Sequence, residues 1–239
     1  MAKKNERKPW QVKSWCIAQP SARYVAKMED VIEVYHRPYD AQRPVVCLDE
    51  ISKELHSTPL GTIPAAPGKP EREDFEYERH GVCNLFLMVE PLQGRCTVRV
   101  TARRTYLDFA EELRILVEET YPDAEKIVLV TDNLNTHKFA CLYERFEPAQ
   151  ARRIAAKLEW HYTPEHGSWL NVAECELSVL ARQCLNQRIA DEASLTREVA
   201  AWISERNAKK VTINWQFTTK DARIKLRRLY PVTKQDNPA

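Results

Sequence analysis

Two short apolar segments, each followed by an aspartate, constrain the fold of this 239-residue chain most strongly. The first segment is Val45–Leu48, before Asp49, and the second is Ile127–Thr131, before Asp132. Short continuous runs rich in β-branched residues are typical of strands buried on both faces. A carboxylate at the end of such a strand is unfavourable unless something satisfies its charge. The two segments therefore predict central strands of an α/β sheet with polar chemistry at their ends.

Around these strands, apolar residues recur at helical spacing, which predicts helices that cover both faces of the sheet. The predicted helices span residues 21–35, 105–117, 136–146, 148–158 and 168–184, with two more that begin at Asp191 and at Thr218 or Thr219. The predicted fold class is therefore α/β: a mixed sheet with helices on both faces, an N-terminal linker helix and a small C-terminal helical extension.

Further segments predict additional strands and one long loop. Residues 82–90 form an apolar run, and residues 96–101 follow a turn and alternate as a hairpin partner does. Residues 159–162 predict a short strand, and the alternating residues 211–217 predict a small strand near the C terminus. Residues 57–72 carry four prolines and two glycines, which predicts a surface loop.

The charge distribution divides the chain more clearly than its net charge of +2. We expect residues 1–43 to form a basic linker and helix, residues 44–188 a central domain, and residues 189–239 a basic C-terminal extension. An acidic patch lies at residues 71–78. Basic chain ends suit contact with phosphate backbones, although solvated surface charge explains most such runs.

The cysteines and the apolar segments indicate a reducing compartment. Seven cysteines are scattered without C-x-x-C pairs, so neither a disulfide framework nor a zinc site is predicted. No apolar segment approaches the ~20 residues that span a membrane. The basic N terminus also lacks the apolar core of a secretory signal. We therefore expect a soluble, cytoplasmic protein with no membrane partner.

Asp49, Asp132 and Glu174 are the candidate ligands of a metal site. Glu174 lies one turn inside the helix predicted from Ser168, from which it can reach the strand ends, whereas Glu176 lies on another face. Magnesium and manganese prefer carboxylate oxygens and keep positions open for substrate phosphate. Two such ions promote in-line attack on phosphodiesters. The three acids predict a metal-dependent nuclease or strand-transfer enzyme, although a single strand-end acid is more often a cap or an ion pair.

Two motifs extend this pattern. Residues 131–137 read TDNLNTH, and residues 166–174 read HGSWLNVAE. With Asp49-Glu50 ahead of them, these motifs resemble the DDE transposases of bacterial insertion sequences, in the mariner-related branch called insertion-sequence family six-thirty. The resemblance runs from about Lys8 to Tyr230. It implies that residues 44–188 form a ribonuclease H-like catalytic domain in which Asp49, Asp132 and Glu174 are catalytic and bind two Mg²⁺ or Mn²⁺ ions, with no small-molecule cofactor.

The resemblance also implies roles for neighbouring residues. Asn133, His137 and Asn171 would orient the acids or phosphate, although His137 equally suits a satisfied histidine at the start of a helix. Trp169 and Leu170 are expected to anchor the following helix in the core. Candidate DNA contacts, for which solvated arginine is the alternative, are Arg103, Arg104, Lys225, Arg227 and Arg228.

The function implied by the resemblance is cleavage of DNA at transposon ends and strand transfer into target DNA. Family members act as dimers that hold two ends, prefer TA targets and carry helix-turn-helix modules ahead of the core. We expect this chain to be a homodimer in the bacterial cytoplasm, associated with the nucleoid when bound to DNA, and to lack those modules. Two alternatives are a structure-selective nuclease on the same fold and a truncated, non-catalytic regulatory or dimerisation partner of a full-length transposase.

Overall fold

A five-stranded mixed sheet forms the centre of the protein. The computed structural model describes residues 21–59, 61–73, 75–132 and 137–232, so Asn133 lies outside the described residues. The strands are β1 (Val45–Ser57), β2 (Thr62–Ile63), β3 (Arg72–Glu73), β4 (Glu78–Glu90), β5 (Arg95–Thr101), β6 (Ile127–Thr131) and β7 (Leu158–Tyr162). The sheet order is β5-β4-β1-β6-β7, with β1, β6 and β7 parallel and β4 antiparallel to both its neighbours.

Helices cover both faces of this sheet, so the predicted α/β class with a mixed sheet is confirmed. The helices are α1 (Ala22–Tyr35), α2 (Tyr106–Ile115), α3 (Ala140–Arg145), α4 (Pro148–Lys157), α5 (Val172–Leu180), α6 (Glu192–Ala208) and α7 (Thr219–Lys225). These helices pack on the sheet through two separate hydrophobic cores, one on each face. The first core joins α1, α5, α6 and α7 to one face, and the second joins α2, α3 and α4 to the other. Side chains alternate along β1, so Cys47 enters the first core while Val46 and Leu48 enter the second.

The first strand is longer than the sequence predicts. Asp49 was expected at its end, but β1 continues to Ser57 because β4 pairs with it along that length. On its other side, β1 pairs with β6 only from Val45 to Cys47. Asp49 therefore lies within β1, at the level where the neighbouring parallel strand stops.

Two local predictions are wrong. Residues 211–217, all of them described, form no strand; one backbone hydrogen bond joins Ile213 N–H to the Pro91 carbonyl at 2.8 Å, and alternate side chains pack on the first core. The alternation there reflects burial against a face and not a hydrogen-bonded ladder. Residues 57–72 were expected to be loop, but this segment includes β2 and contributes to a small β2–β3 hairpin.

The predicted helix over residues 168–184 is divided into three pieces. A 3₁₀ turn covers Ser168–Leu170, α5 follows from Val172, and a π-helical segment covers Ala181–Leu185. Asn171 separates the first two pieces because its extended backbone and side-chain cap begin a new helix. The helix expected from residue 136 begins at Ala140 in the described chain.

The sequence predicts no membrane-spanning segment, and the lengths and polarity of the helices bear on this prediction. None of those in the described ranges is both long and apolar enough to cross a bilayer.

Candidate active site

The two aspartates approach one another because β1 and β6 are parallel neighbours. Cys47 lies opposite Val130 in the register, so two further residues along each chain bring Asp49 level with Asp132. Adjacent strands are about 4.8 Å apart. Asp49 also shares the face of Cys47, which is the face that α5 covers. The sheet therefore directs Asp49 towards the helix that carries Glu174.

Glu174 lies in the first turn of α5. The N terminus of a helix carries partial positive charge, which favours a carboxylate there. The Ser168 hydroxyl hydrogen bonds to Glu174, although burial and the charge of Asp132 raise the Glu174 pKa above its usual value.

Asn171 joins α5 to β1 at this point. Its side-chain oxygen accepts a hydrogen bond from Ala173 N–H at 3.1 Å, which caps the helix. Its side-chain nitrogen donates to Asp49 Oδ2 and to the Leu48 carbonyl, both at 3.2 Å. Asn171 is fully buried, so one side chain sets the helix start and the Asp49 orientation together.

Tyr35, at the end of α1, also contacts both the start of α5 and strand β1. Its hydroxyl donates to the Leu170 carbonyl at 2.7 Å and accepts from Val172 N–H at 3.3 Å. The same oxygen lies 3.5 Å from Cys47 Sγ on β1. Sequence reasoning missed this role, because helical spacing marks Tyr35 only as a core residue.

The electrostatics of Asp49 are those of a buried anion among other anions. Burial, the largest cause, and the charges of Asp132, Glu50 and Glu174 together raise its pKa to about 7, against the lowering effect of a hydrogen bond from Glu50 N–H at 2.8 Å. Its two hydrogen-bond donors, the Asn171 amide and that N–H, are uncharged. An external cation would relieve this repulsion, and the oxygen donors fit a hard divalent metal.

The carboxylates of Asp49, Asp132 and Glu174 are not arranged as the ligands of a metal ion. Among the residues that the structure describes, no group of three His, Cys, Asp or Glu side chains has the arrangement of a metal site. The Asp132 carboxylate instead contacts His137 Nδ1. The assignment of Asp49, Asp132 and Glu174 as ligands therefore remains a proposal, based on their shared edge and their mutual charge effects.

His137 connects Asp132 to a second acid that the sequence reasoning gave no role. Glu50 Oε2 lies 3.1 Å from His137 Nε2, and both side chains are almost wholly buried. The Phe109 ring stacks on His137 with a centroid separation of 4.3 Å. Burial lowers the His137 pKa, but Asp132 and Glu50 raise it to about 9. Alternation placed Glu50 on the face of β1 opposite Asp49, which is why it reaches His137.

The candidate DNA contacts lie in two places. Arg104 is 3.9 Å from Glu50 Oε1, beside the carboxylates, and Arg103 is exposed next to it. Lys225 ends α7, and its Nζ lies over the Phe217 ring, 5.5 Å from the centroid. Arg227 and Arg228 are exposed in the following turn. Exposure suits both DNA contact and solvation, so these five residues stay predictions.

The two residues expected to anchor the helix differ. Leu170 is fully buried, as expected, whereas Trp169 is 43% exposed. The prediction for Trp169 was wrong because the 3₁₀ turn before α5 rotates this side chain away from the core.

Comparison with known proteins identifies the family. The family described as DDE superfamily endonuclease matches residues 44–196. The chain belongs to this family. A search of curated proteins found no match for the chain.

Solved structures of the Mos1 mariner transposase have a similar fold. The Mos1 paired-end complex with Mn aligns at 14% identity and a TM-score of 0.53, over 84% of this chain and 62% of that one. The Mos1 paired-end complex with Mg gives 15% and 0.53, over 93% and 67%, and the Mos1 strand-transfer complex gives 13% and 0.52, over 92% and 66%. This chain thus spans about two thirds of the length of the Mos1 chain. The similarity confirms the predicted ribonuclease H-like fold.

Proposed function

We propose that this DDE superfamily endonuclease domain is the catalytic domain of a transposase of the mariner-related insertion sequences. It cleaves DNA at transposon ends and joins the freed end to target DNA. The observation that carries the proposal is the strand register, which brings Asp49 level with Asp132 on neighbouring parallel strands, while Asp49 shares the face covered by α5, the helix that bears Glu174. Asp49 is buried, and its burial together with the charges of nearby acids raises its pKa to about 7. A stable fold rarely gathers acids in this way unless a cation joins them.

The proposed metal ligands are Asp49, Asp132 and Glu174. Two Mg²⁺ or Mn²⁺ ions held by these residues would activate a water or a 3′-hydroxyl for attack and would stabilise the leaving oxygen. Asn171 fixes Asp49 by a hydrogen bond. Ser168 orients Glu174.

We assign His137 and Glu50 a positioning role. His137 holds the Asp132 carboxylate through Nδ1, and Glu50 faces the other ring nitrogen. With its pKa raised to about 9, His137 is cationic near neutral pH. It therefore holds the Asp132 carboxylate in place from the second face of the sheet.

The same proposal includes DNA as the substrate and a homodimer as the active form. The Mos1 structures of similar fold are named as paired-end and strand-transfer complexes, which supports DNA as the substrate. Arg103, Arg104, Lys225, Arg227 and Arg228 are the proposed backbone contacts. The division into a linker at 1–43, a catalytic domain at 44–188 and an extension at 189–239 is part of this proposal.

The decisive test compares two Asp→Asn variants by nicking of supercoiled plasmid, which requires no knowledge of the terminal repeat. We expect the wild type to nick with Mg²⁺ or Mn²⁺ and to stop on addition of EDTA. Asp132→Asn should lose at least ~1000-fold in rate, a typical scale for a main catalytic group. Asp123→Asn, at an exposed turn, should match the wild type.

A second measurement separates strand transfer from simple hydrolysis. A labelled donor oligonucleotide with a free 3′-hydroxyl is incubated with plasmid and metal. Joining of the label to plasmid supports a transposase, whereas nicking without joining would indicate a nuclease. Metal-independent nicking, or equal rates for wild type and Asp132→Asn, would refute the proposed chemistry.

A further inference from the structure

A small cleft lies beside the proposed active site, between α1 and the loop that follows β7. Its volume is about 140 Å³. The lining residues are Ser21, Arg23, Tyr24, Lys27, Pro164, Glu165 and His166. Tyr162 ends β7 opposite Thr131 on β6, so this loop leaves the sheet at the same edge as Asp132. The loop wall of the cleft therefore begins at the same end of the parallel strands as Asp132.

The loop that forms one wall of the cleft is tightly constrained. Gly167 N–H donates to the Pro164 carbonyl at 2.9 Å, and His166 has a positive φ of 61°. A Cβ atom on Gly167 would lie 2.5 Å from Pro164 Cγ, so the turn leaves room only for glycine. The next residue, Ser168, hydrogen bonds to Glu174. The wall of the cleft is thus fixed relative to a catalytic acid.

The other wall places two cations together. Arg23 and Lys27 are four residues apart on α1, and so share one face of the helix. Burial lowers the Lys27 pKa, and the charge of Arg23 lowers it further, while Glu165 opposes this. Lys27 Nζ also lies over the Tyr162 ring at 5.8 Å. Like charges at this spacing repel, and a bound phosphate would remove the repulsion.

An exposed aromatic side chain adjoins the cleft. Trp169 Nε1 donates to the Tyr24 hydroxyl at 3.3 Å, and the Phe217 ring meets Trp169 edge-on at 6.2 Å. These contacts hold the indole in one orientation, yet 43% of the residue is exposed. A fixed, exposed indole beside paired cations is the combination that binds unstacked nucleotides, because every base has a face to stack.

We propose that Trp169 and the cleft form a subsite for one unstacked nucleotide of the DNA strand next to the scissile phosphodiester. The base stacks on Trp169, and its phosphate lies between Arg23 and Lys27. The inference rests on the proposed function, since it assigns the substrate strand to that site. A continuous duplex would use the cations but not the indole, because its bases are already stacked.

The test measures binding of a short fluorescein-labelled oligothymidylate, and of a duplex of the same length, by fluorescence anisotropy in EDTA. Trp169→Leu should weaken binding of the single strand by at least about fivefold, and Trp169→Phe should restore most of it. Trp169→Leu should change duplex binding much less. The double variant Arg23→Gln/Lys27→Gln should lower affinity for both probes and reduce the salt slope by about 1.

Arg152→Gln is the matched control, since Arg152 is exposed on α4 at the opposite face. It should leave both affinities unchanged, and thermal melts should show that all variants are folded. Wild-type affinity in Trp169→Leu, or equal losses on single strand and duplex, would overturn the subsite. Absence of metal-dependent nicking by the wild type would instead refute the proposed function, because the binding test contains no metal.

Discussion

Two glutamates on one helix show how differently this protein treats its buried acids. Glu176 is 3% exposed and accepts two hydrogen bonds from Arg206, at 2.6 and 3.0 Å. Glu174, two residues earlier, accepts a hydrogen bond from the Ser168 hydroxyl, and the negative charge of Asp132 raises its pKa. The chain neutralises the first acid with its own cation, whereas the second faces other acids.

The parallel strands repeat this contrast. Glu159, at the start of β7, is buried enough to raise its pKa, but Arg37, His161 and Arg43 lower it to about 2. Asp49, at the other end of the parallel strands, has its pKa raised to about 7. Glu176 and Glu159 thus have cationic partners within the fold, whereas the groups that hydrogen bond to Asp49 are uncharged.

The largest expected effect comes from removing an internal cation. Arg206→Ala should lower the free energy of unfolding by about 3–5 kcal/mol, because it leaves Glu176 charged, buried and unpaired. Urea denaturation measures this. Arg182 is an exposed arginine in the π-helical segment that follows α5. Arg182→Ala should keep the free energy of unfolding within about 0.5 kcal/mol of the wild type. Equal stabilities for the two variants would remove the basis of the comparison.

An intermediate effect is expected from adding the divalent metal that we propose Asp49, Asp132 and Glu174 bind. Mg²⁺ or Mn²⁺ at about 100 times its Kd should stabilise the wild type by about 2.7 kcal/mol, seen as a raised Tm. Asp49→Asn should lose this shift. Glu50→Gln should retain the fold but bind metal about 10- to 100-fold more weakly, because His137 then orients Asp132 less well. An undiminished metal shift in Asp49→Asn would show that the ion binds elsewhere.

The smallest expected effect concerns Glu159 on β7, whose charge is paired with Arg37 and Arg43. Glu159 has a folded pKa of about 2, below the usual glutamate value of 4.5, so its stabilisation is complete above about pH 4.5 and is lost as the pH falls towards 2. Glu159→Gln should cost about 1 kcal/mol at pH 7, since the partner arginines are partly exposed. In denaturation at pH 3 the difference from wild type should be smaller. A difference that grows with acidification would contradict this assignment.

Much of this architecture could be predicted from local pattern. Apolar runs located β1, β4 and β6, and helical spacing located α1. Capping residues at 105, 191 and 218 located the starts of α2, α6 and α7, because these signals act over a few residues. The extension of β1 beyond Asp49 could not be predicted, since it depends on pairing with β4 residues that lie between 21 and 36 positions further along the chain. The failed strand at residues 211–217 has the same origin, because alternation records burial and does not name the partner.

The sequence by itself determined which acids were available, and the order of the motifs marked Asp49, Asp132 and Glu174 among the 34 acidic residues. Only the tertiary structure decided their surroundings: the Asn171 bond to Asp49, the Glu50 and His137 contact behind Asp132, and the exposure of Trp169. The physical reason is the distance along the chain over which each kind of interaction acts. Propensity and periodicity act between near neighbours, whereas burial, repulsion and hydrogen bonding at this edge join residues from four distant segments of the chain.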